Sequence, residues 1–122
     1  MKALTVILIL LFLLLTCTVG NYIYINDVSD RLIFEIDALP MPDSGDCGAR
    51  IAELIDYWEG EFDTVCLSVS YTVADRISEH AKTLASCSAC GDRFGFYNSL
   101  TLLRDAVQDL RRLESFSIAS LF

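Results

Sequence analysis

Two cysteines three positions apart are the first residues of this sequence that could do chemistry. Cys87 and Cys90 form a CxxC within the stretch SCSACGDR, a spacing used by redox dithiols and by half of many zinc sites. Redox work of the thioredoxin kind needs the motif at a strand-to-helix junction of an α/β fold. Here the motif follows a predicted helix in a chain whose periodicity is helical. A redox centre is therefore not the favoured interpretation.

A zinc site is the second interpretation of these cysteines. It would need four ligands, and the sequence has neither a second CxxC nor a pair of histidines. Cys66, His80, Cys87 and Cys90 combine only at a spacing that matches no zinc pattern. His80 is the one histidine of the chain, and we expect it to be structural or solvated. The sequence predicts no metal and no cofactor.

A disulfide is the third interpretation, and the helical pattern favours it. If the second and third helices form an antiparallel hairpin that turns near Val69, Cys47 lies 22 residues before the turn, and Cys87 and Cys90 lie 18 and 21 residues after it. We therefore expect a bridge from Cys47 to Cys90 or Cys87 in an oxidising compartment. Unpaired cysteines in a reducing compartment are the alternative. Cys66 is predicted to be a buried free thiol.

The apolar residues are concentrated at the start of the chain. Positions 3–25 contain no charged residue, and at about 1.5 Å per helical residue they span a hydrocarbon core of roughly 30 Å. A cleaved signal peptide is the competing interpretation, since Thr18 to Gly20 are small enough for a cleavage site. The run is longer than the usual apolar region of a signal peptide. We predict an uncleaved membrane anchor over residues 1–25, with Cys17 inside it.

Charge predicts the orientation of this anchor and the class of its partners. Lys2 precedes the span, whereas Asp27 and Asp30 follow it, so the N-terminus is expected in the cytoplasm and the rest outside. Without Lys2, eight basic residues face 17 acidic ones. A domain of net charge −9 is repelled by nucleic acid and by anionic lipid headgroups. Proteins, cations or cationic polymers are the expected partners, and no nucleic acid; the alternative is that the charge serves solubility alone.

Helical periodicity predicts the rest of the architecture. The anchor helix continues as a stalk over residues 26–39 and ends before Pro40. A helical bundle follows over residues 43–122, with helices from 43–46 to about Leu67, from about Ser70 to Ser86, and around Leu100 to Leu113. The predicted fold is all-α: a transmembrane helix that continues into a small antiparallel bundle. The predicted core residues are Ile51, Leu54, Ile55, Trp58, Phe62, Val73, Ile77, Leu84, Leu103, Val107 and Leu110.

No sequence signature of catalysis accompanies these helices. The chain has no nucleophile elbow, phosphate-binding loop, dinucleotide-binding glycine set or HExxH. Acidic pairs such as Glu59 and Asp63 are at helical spacing and are typical of a solvated face. We predict that the protein is not an enzyme.

The last helix resembles a known family. The ending LLRDAVQDLRRLESFSIASLF is similar to the C-terminus of the bacterial domain-of-unknown-function family 4363, in which a leucine-spaced helix is followed by a short segment that closes on a hydrophobic–phenylalanine pair. Trp58 is where such proteins often carry tryptophan, whereas Ser120 departs from the usual asparagine. The resemblance implies a small membrane-anchored helical protein and assigns no activity. The matching residues of the ending are Leu113, Phe116, Ile118, Leu121 and Phe122.

Together these patterns predict location more sharply than role. We expect a single-pass membrane protein whose helical domain lies outside the cytoplasm and serves as a protein-interaction or structural component of the cell envelope. A thiol- or metal-dependent envelope sensor that uses Cys87 and Cys90 is the alternative. The closing segment, residues 116–122, is too short for a second span. It is expected to pack against the bundle rather than to lie on the membrane surface.

Overall fold

Four α-helices account for the architecture of the described chain. A computed structural model describes residues 1–40, 45–69 and 71–121, without the side chains of Ser68 and of residues 113–121. Over these ranges it contains no strand. The helices are α1 (Lys2–Asp37), α2 (Cys47–Ser68), α3 (Tyr71–Cys90) and α4 (Arg93–Leu121). The predicted all-α class is confirmed.

The helices pack as a ring in which each helix contacts two neighbours. α1 packs against α2 and α4, and α3 packs against the same two helices. Arg104 of α4 pairs with Asp37, and Arg111 pairs with Asp30. Because the later residue of α4 meets the earlier residue of α1, these two helices are antiparallel. The structure is therefore a four-helix bundle in which α1 is a full member.

The two halves of α1 have different surroundings. Its second half carries a stripe of buried residues spaced three or four apart, namely Ile25, Val28, Ser29, Leu32 and Ile36. The predicted helix to about Ala38 matches the observed end at Asp37. The segment 26–39, predicted as a stalk, differs from that expectation because its stripe is covered by α2 and α4. It is a helix of the bundle and does not separate the bundle from the apolar segment.

The first half of α1 is long and apolar enough to cross a membrane. Its most apolar window of 18 residues has a mean hydropathy of 2.7, and none of that window is buried within the protein. The large apolar side chains from Leu4 to Leu15 are 37–70% exposed. Among the described helices, only α1 meets this criterion of length and composition.

The core lies at the centre of the ring. Of the predicted core residues, Ile55, Phe62 and Val73 are only partly buried and pack against the core from its edge. The other eight are nearly inaccessible to solvent. Phe96 and the small residues Ala74, Ala81 and Ala106 are buried as well. The eight buried predicted residues are Ile51, Leu54, Trp58, Ile77, Leu84, Leu103, Val107 and Leu110.

The helix ends differ from the predicted ones at three places. α4 begins at Arg93, seven residues before the first residue predicted for the fourth helix. α3 continues to Cys90, four residues beyond the predicted end, because the turn after it is formed by two residues alone. α4 continues as helix to Leu121, so the backbone of the closing segment extends that helix. The predicted packing of side chains 116–122 concerns side chains outside the described residues. Residues 43–44, where the second helix was predicted to start, also lie outside them.

Candidate functional site

The two helices that carry the cysteines are held in register by a side-chain hydrogen bond. Trp58 Nε1 of α2 donates to Ser78 Oγ of α3 over 2.8 Å. Cys47 lies 11 residues before Trp58, and Ala89 lies 11 residues after Ser78. In an antiparallel pair this register makes Cys47 level with Ala89, between the two cysteines of the CxxC. The predicted meeting of these helix ends is therefore observed.

The thiols at this end are nevertheless unpaired. Cys47 is fully buried, Cys87 is partly buried and Cys90 is exposed, and all of them are free. No disulfide joins any of the described residues. The predicted bridge between Cys47 and Cys90 or Cys87 is thus not formed in this structure. The confirmed part of the prediction is the position: Cys47, Cys87 and Cys90 lie at the same end of the α2–α3 pair.

The CxxC stretch has a structural task at the end of α3. The Asp92 N–H donates to the Cys87 carbonyl over 3.0 Å, and the Gly91 N–H donates to the Ser88 carbonyl over 3.4 Å. Gly91 has a φ of +72°. This combination is a Schellman motif, in which a left-handed glycine ends the helix and its last carbonyls find partners. Both cysteines therefore lie in the last turn of α3. The prediction that the third helix ends at Ser86 and that the cysteines belong to the following turn is wrong.

α4 begins directly after this motif, and its start is crowded. Asp92 Oδ1 accepts the Gly95 N–H over 3.0 Å, which satisfies one of the free amides of the first helical turn. A Cβ atom added at Gly95 would lie 2.4 Å from Asp92 Oδ2 and 2.8 Å from Cys87 Sγ. A side chain at Gly95 would therefore displace the Asp92 carboxylate or the Cys87 thiol, which is packed against the start of α4.

The cysteines do not assemble a metal site within the described residues. No three His, Cys, Asp or Glu side chains of that part of the chain are grouped so that they could hold a metal ion. Cys66 lies 19 residues after Cys47 on the same helix, which is about 28 Å along its axis. The combination of Cys66 and His80 with the CxxC is thus not brought together.

Cys66 differs from its prediction in exposure. It is a free thiol, but it is only partly buried. Burial raises the pKa of this thiol, and the carboxylates of Asp63 and Asp75 raise it further. A raised pKa lowers the thiolate fraction at neutral pH, so this cysteine is a poor nucleophile.

The outer face between α2 and α3 contains two neighbouring cavities, which we call the α2–α3 groove. The cavity nearer the α3–α4 turn measures about 560 Å³, and the one nearer the α2–α3 connection about 270 Å³. Ile55 lines both. The larger cavity is open because small side chains form most of its wall; its other lining residues are Gly45, Gly48, Ile51, Ala52, Ala85, Ser88 and Ala89.

Aromatic rings form one wall of the smaller cavity. Trp58 and Phe62 are in edge-to-face contact with ring centroids 6.0 Å apart, and Phe62 meets Tyr71 in the same way at 5.9 Å. The Trp58 ring is fixed by its hydrogen bond to Ser78. Edge-to-face contacts of this kind add to the energy of burial and hold the rings in one arrangement. The wall is therefore preorganised.

Charged residues lie at the opening of the smaller cavity. Glu59 and Asp75 contribute carboxylates, and Lys82 contributes one ammonium group. The excess of negative charge favours a ligand with a cationic group beside an apolar one. The groove offers shape, apolar surface and charge. None of its described lining residues is a histidine or a cysteine.

The sequence did not predict this groove, although it predicted some of the lining residues as core residues. Trp58, Phe62 and Ile55 were predicted as core residues, and their spacing along α2 was the available signal. Tyr71 and Ser78 were missed because each joins the cavity only through the pairing of α3 with α2. The larger cavity was missed because alanine and glycine on a helix do not indicate from the sequence alone that a cavity lies beside them.

Comparison of the chain with protein-family models, curated proteins and solved structures finds no match. The resemblance of its ending to domain-of-unknown-function family 4363 therefore stays a prediction, and the candidate site has to be interpreted from its own geometry.

Proposed function

We propose that this chain is a single-pass membrane protein whose four-helix bundle lies outside the cytoplasm and serves as a protein-interaction or structural component of the cell envelope. The observation that carries the proposal is the first half of α1. Its apolar side chains point outward on every side and none of its most apolar window is buried. An apolar surface of this length is costly in water and is satisfied by lipid.

The orientation can be tested with a cysteine that the chain already has. Cys90 is exposed at the end of the bundle remote from the apolar segment. A membrane-impermeant maleimide should label it in intact cells, after mild reduction to open any bridge. The variant Cys90→Ser is the control. Labelling that appears only after the membrane is permeabilised would place the bundle in the cytoplasm and contradict the proposal.

Retention of the anchor requires a separate measurement. An uncleaved anchor predicts that protein extracted from the membrane has the intact mass of the whole chain. A mass that lacks the first 20 residues would show a cleaved signal peptide, and the bundle would then lose the apolar half of α1. Extraction of the protein from the membrane by alkaline carbonate would also indicate a cleaved signal peptide.

We propose the α2–α3 groove as the interaction face. Its ligand would be a segment of a partner protein that carries an apolar side chain next to a basic one. The apolar side chain suits the walls around Ile55, and the basic one suits Glu59 and Asp75 at the opening. This choice agrees with the acidic character of the chain, whose net charge is −8.

Photocrosslinking in the native membrane tests this face. A photoreactive residue at Ala52, on the groove, should give an adduct with one protein, whereas the same residue at Leu102 on α4 should not. Replacement of Ala85 by phenylalanine fills the larger cavity from its opposite wall and should abolish the adduct. An equal adduct from Leu102, or one that survives Ala85→Phe, would contradict a specific role of the groove.

Thiol chemistry at Cys87 and Cys90 is tested by alkylation. A sensor requires an exposed thiolate of low pKa, so it should react with iodoacetamide at neutral pH much faster than glutathione does. Cys66, whose pKa burial raises, is the slow internal reference. Mass mapping without reduction would show whether Cys47 is bridged to either residue in the cell. Rapid reaction of the CxxC would favour the sensor over the interaction module.

A further inference from the structure

We infer that the bundle stands directly on the bilayer, with the end formed by Leu67, Val69 and Tyr71 in contact with its interfacial layer. We call this end the base. The inference deepens the proposed membrane anchoring and depends on it. It concerns the height of the bundle above the membrane, which follows from the continuity of α1 and from the register of the helices packed on it.

The first step is the continuity of α1. The helix runs without interruption from Lys2 to Asp37, so its apolar half and its packed half form one rod. Ile23 is still 54% exposed, whereas Ile25 is fully buried. At about 1.5 Å per residue, only about 3 Å separate these two levels. No spacer therefore lies between the lipid-facing segment and the bundle.

The second step is the register between α1 and α2. The Tyr24 hydroxyl donates a hydrogen bond to the Glu61 carboxylate, and the Arg31 guanidinium lies over the Tyr57 ring at 4.8 Å from its centroid. Later residues of α1 thus meet earlier residues of α2. Leu67 lies six residues beyond Glu61 and ten beyond Tyr57, so the first contact makes it level with Thr18 and the second with Asn21, about 5–9 Å below Tyr24.

The third step is the level of the membrane surface. The uncharged residues before Asn21 span about 27 Å, close to the thickness of a hydrocarbon core. The level of Thr18 to Tyr22 is then the boundary of that core and the start of the headgroup layer. Leu67 lies at this level by the register above. Tyr71 lies near it, because its ring touches Phe62 of the same part of α2.

The fourth step is the chemistry of the base. Leu67 is 87% exposed and Tyr71 is 64% exposed. A leucine and a tyrosine are suited to the interface, where the apolar body meets acyl chains and the hydroxyl meets water. Phe94 at the opposite end is 85% exposed, so exposure alone does not identify the base. Its height does.

Tryptophan fluorescence in vesicles of brominated phosphatidylcholine tests the inference, because bromine on the acyl chains quenches only nearby indoles. Three full-length variants each add one tryptophan at an exposed site: Phe12→Trp in the apolar segment, Leu67→Trp at the base and Phe94→Trp at the far end. The wild type supplies the baseline of Trp58, which is 1% exposed. Circular dichroism verifies that each variant is folded, and Tyr71→Trp is a second variant for the base.

We expect the emission added by Leu67→Trp to fall by a factor of about two or more in brominated vesicles, as interfacial rings lie next to the acyl chains. Phe12→Trp should be quenched at least as strongly, and Phe94→Trp should be unaffected. Quenching of Phe12→Trp without that of Leu67→Trp and Tyr71→Trp would overturn the inference and leave the anchor intact. An unquenched Phe12→Trp would overturn the anchor itself. Quenching of Phe94→Trp would show that the bundle lies on its side on the membrane, which also overturns the inference.

Discussion

The two halves of α1 are continuous in backbone and opposite in what surrounds them. From Leu4 to Leu15 the large apolar side chains are exposed on all sides of the helix. From Ile25 to Ile36 the buried residues form one stripe, covered by α2 and α4. A helix that is apolar all round requires an apolar solvent, whereas a striped helix requires neighbours. The pattern around the helix axis therefore separates the two roles better than hydropathy alone does.

The hydroxyl groups of the two halves of α1 differ in whether they have a hydrogen-bond partner. Thr16 and Thr18 in the first half donate to the carbonyls of Phe12 and Leu14 over 2.9 and 2.8 Å. Lipid offers no partner to a hydroxyl, so a bond within the helix satisfies it. Exposed threonines of the bundle such as Thr83 make the same bond, so it is not diagnostic. Ser29 in the packed half is buried with no partner for its Oγ.

The largest effect is expected from leucine-to-alanine substitutions in the two halves. Leu32 is 1% exposed, and Leu32→Ala should lower the free energy of unfolding by about 2–5 kcal/mol through lost burial and a cavity. Leu11→Ala, at a site 55% exposed, should leave bundle stability unchanged. Urea unfolding in micelles, followed by Trp58 fluorescence, measures both. Equal losses would remove the distinction between the halves.

A change of opposite sign is expected at Ser29. Ser29→Ala removes a buried hydroxyl that lacks a hydrogen bond and should raise the free energy of unfolding by about 1 kcal/mol. Thr18→Val, whose hydroxyl is satisfied within the helix, is the control and should change little. The same unfolding assay applies. A destabilised Ser29→Ala protein would mean that this hydroxyl has a partner in solution.

A smaller effect is expected at the junction of the halves. Gly20 has open space around the position of a Cβ atom, so Gly20→Ala should raise stability by about 0.5 kcal/mol by favouring helix. Gly95→Ala is the contrasting control. There a Cβ atom meets Asp92 and Cys87 at less than 3 Å, and stability should fall by about 1–3 kcal/mol. Loss of stability in Gly20→Ala would indicate that the junction has to bend.

The smallest effect concerns pH and the contact of the packed half with α2. Burial raises the pKa of Tyr57 above its ordinary value of about 10, and the Glu61 carboxylate adds to this while Arg31 opposes it. Folding therefore favours the protonated phenol. Its contribution is complete below pH 10 and is lost as the pH rises through the higher folded pKa. Unfolding curves should show this loss in the wild type and a smaller one in Tyr57→Phe.

The sequence predicts the helices and most of the core because both depend on local spacing. The stripe of Ile51, Leu54 and Trp58 follows from a period of 3.6 residues whatever packs against it. The partly buried Ile55, Phe62 and Val73 show the limit of this reasoning. The burial of a residue at the edge of a stripe depends on the distance between helices. The spacing of residues along one helix does not predict that distance.

The candidate site was less predictable because it is made by pairing. Cys47 and the CxxC were expected at one end, and the register confirms that position, but whether two thiols bond depends on directions that spacing does not specify. The segment 26–39 was predicted as a stalk because its stripe was not matched to a partner. Its cover comes from α2 and α4. The ion pairs of Arg104 and Arg111 with α1 join residues so distant in sequence that they give no local signal.

The closure of the ring by α4 also has a consequence for biosynthesis. The pair of Arg111 and Asp30 joins residues 81 positions apart. At about 5–20 residues per second, a ribosome needs about 4–16 s to make the intervening chain. During that interval the stripe of α1 from Ile25 to Ile36 lacks the helix that completes its cover. A nascent chain of this protein thus has a period in which the stripe of α1 is exposed to incorrect partners, and the synthesis of α4 ends that period.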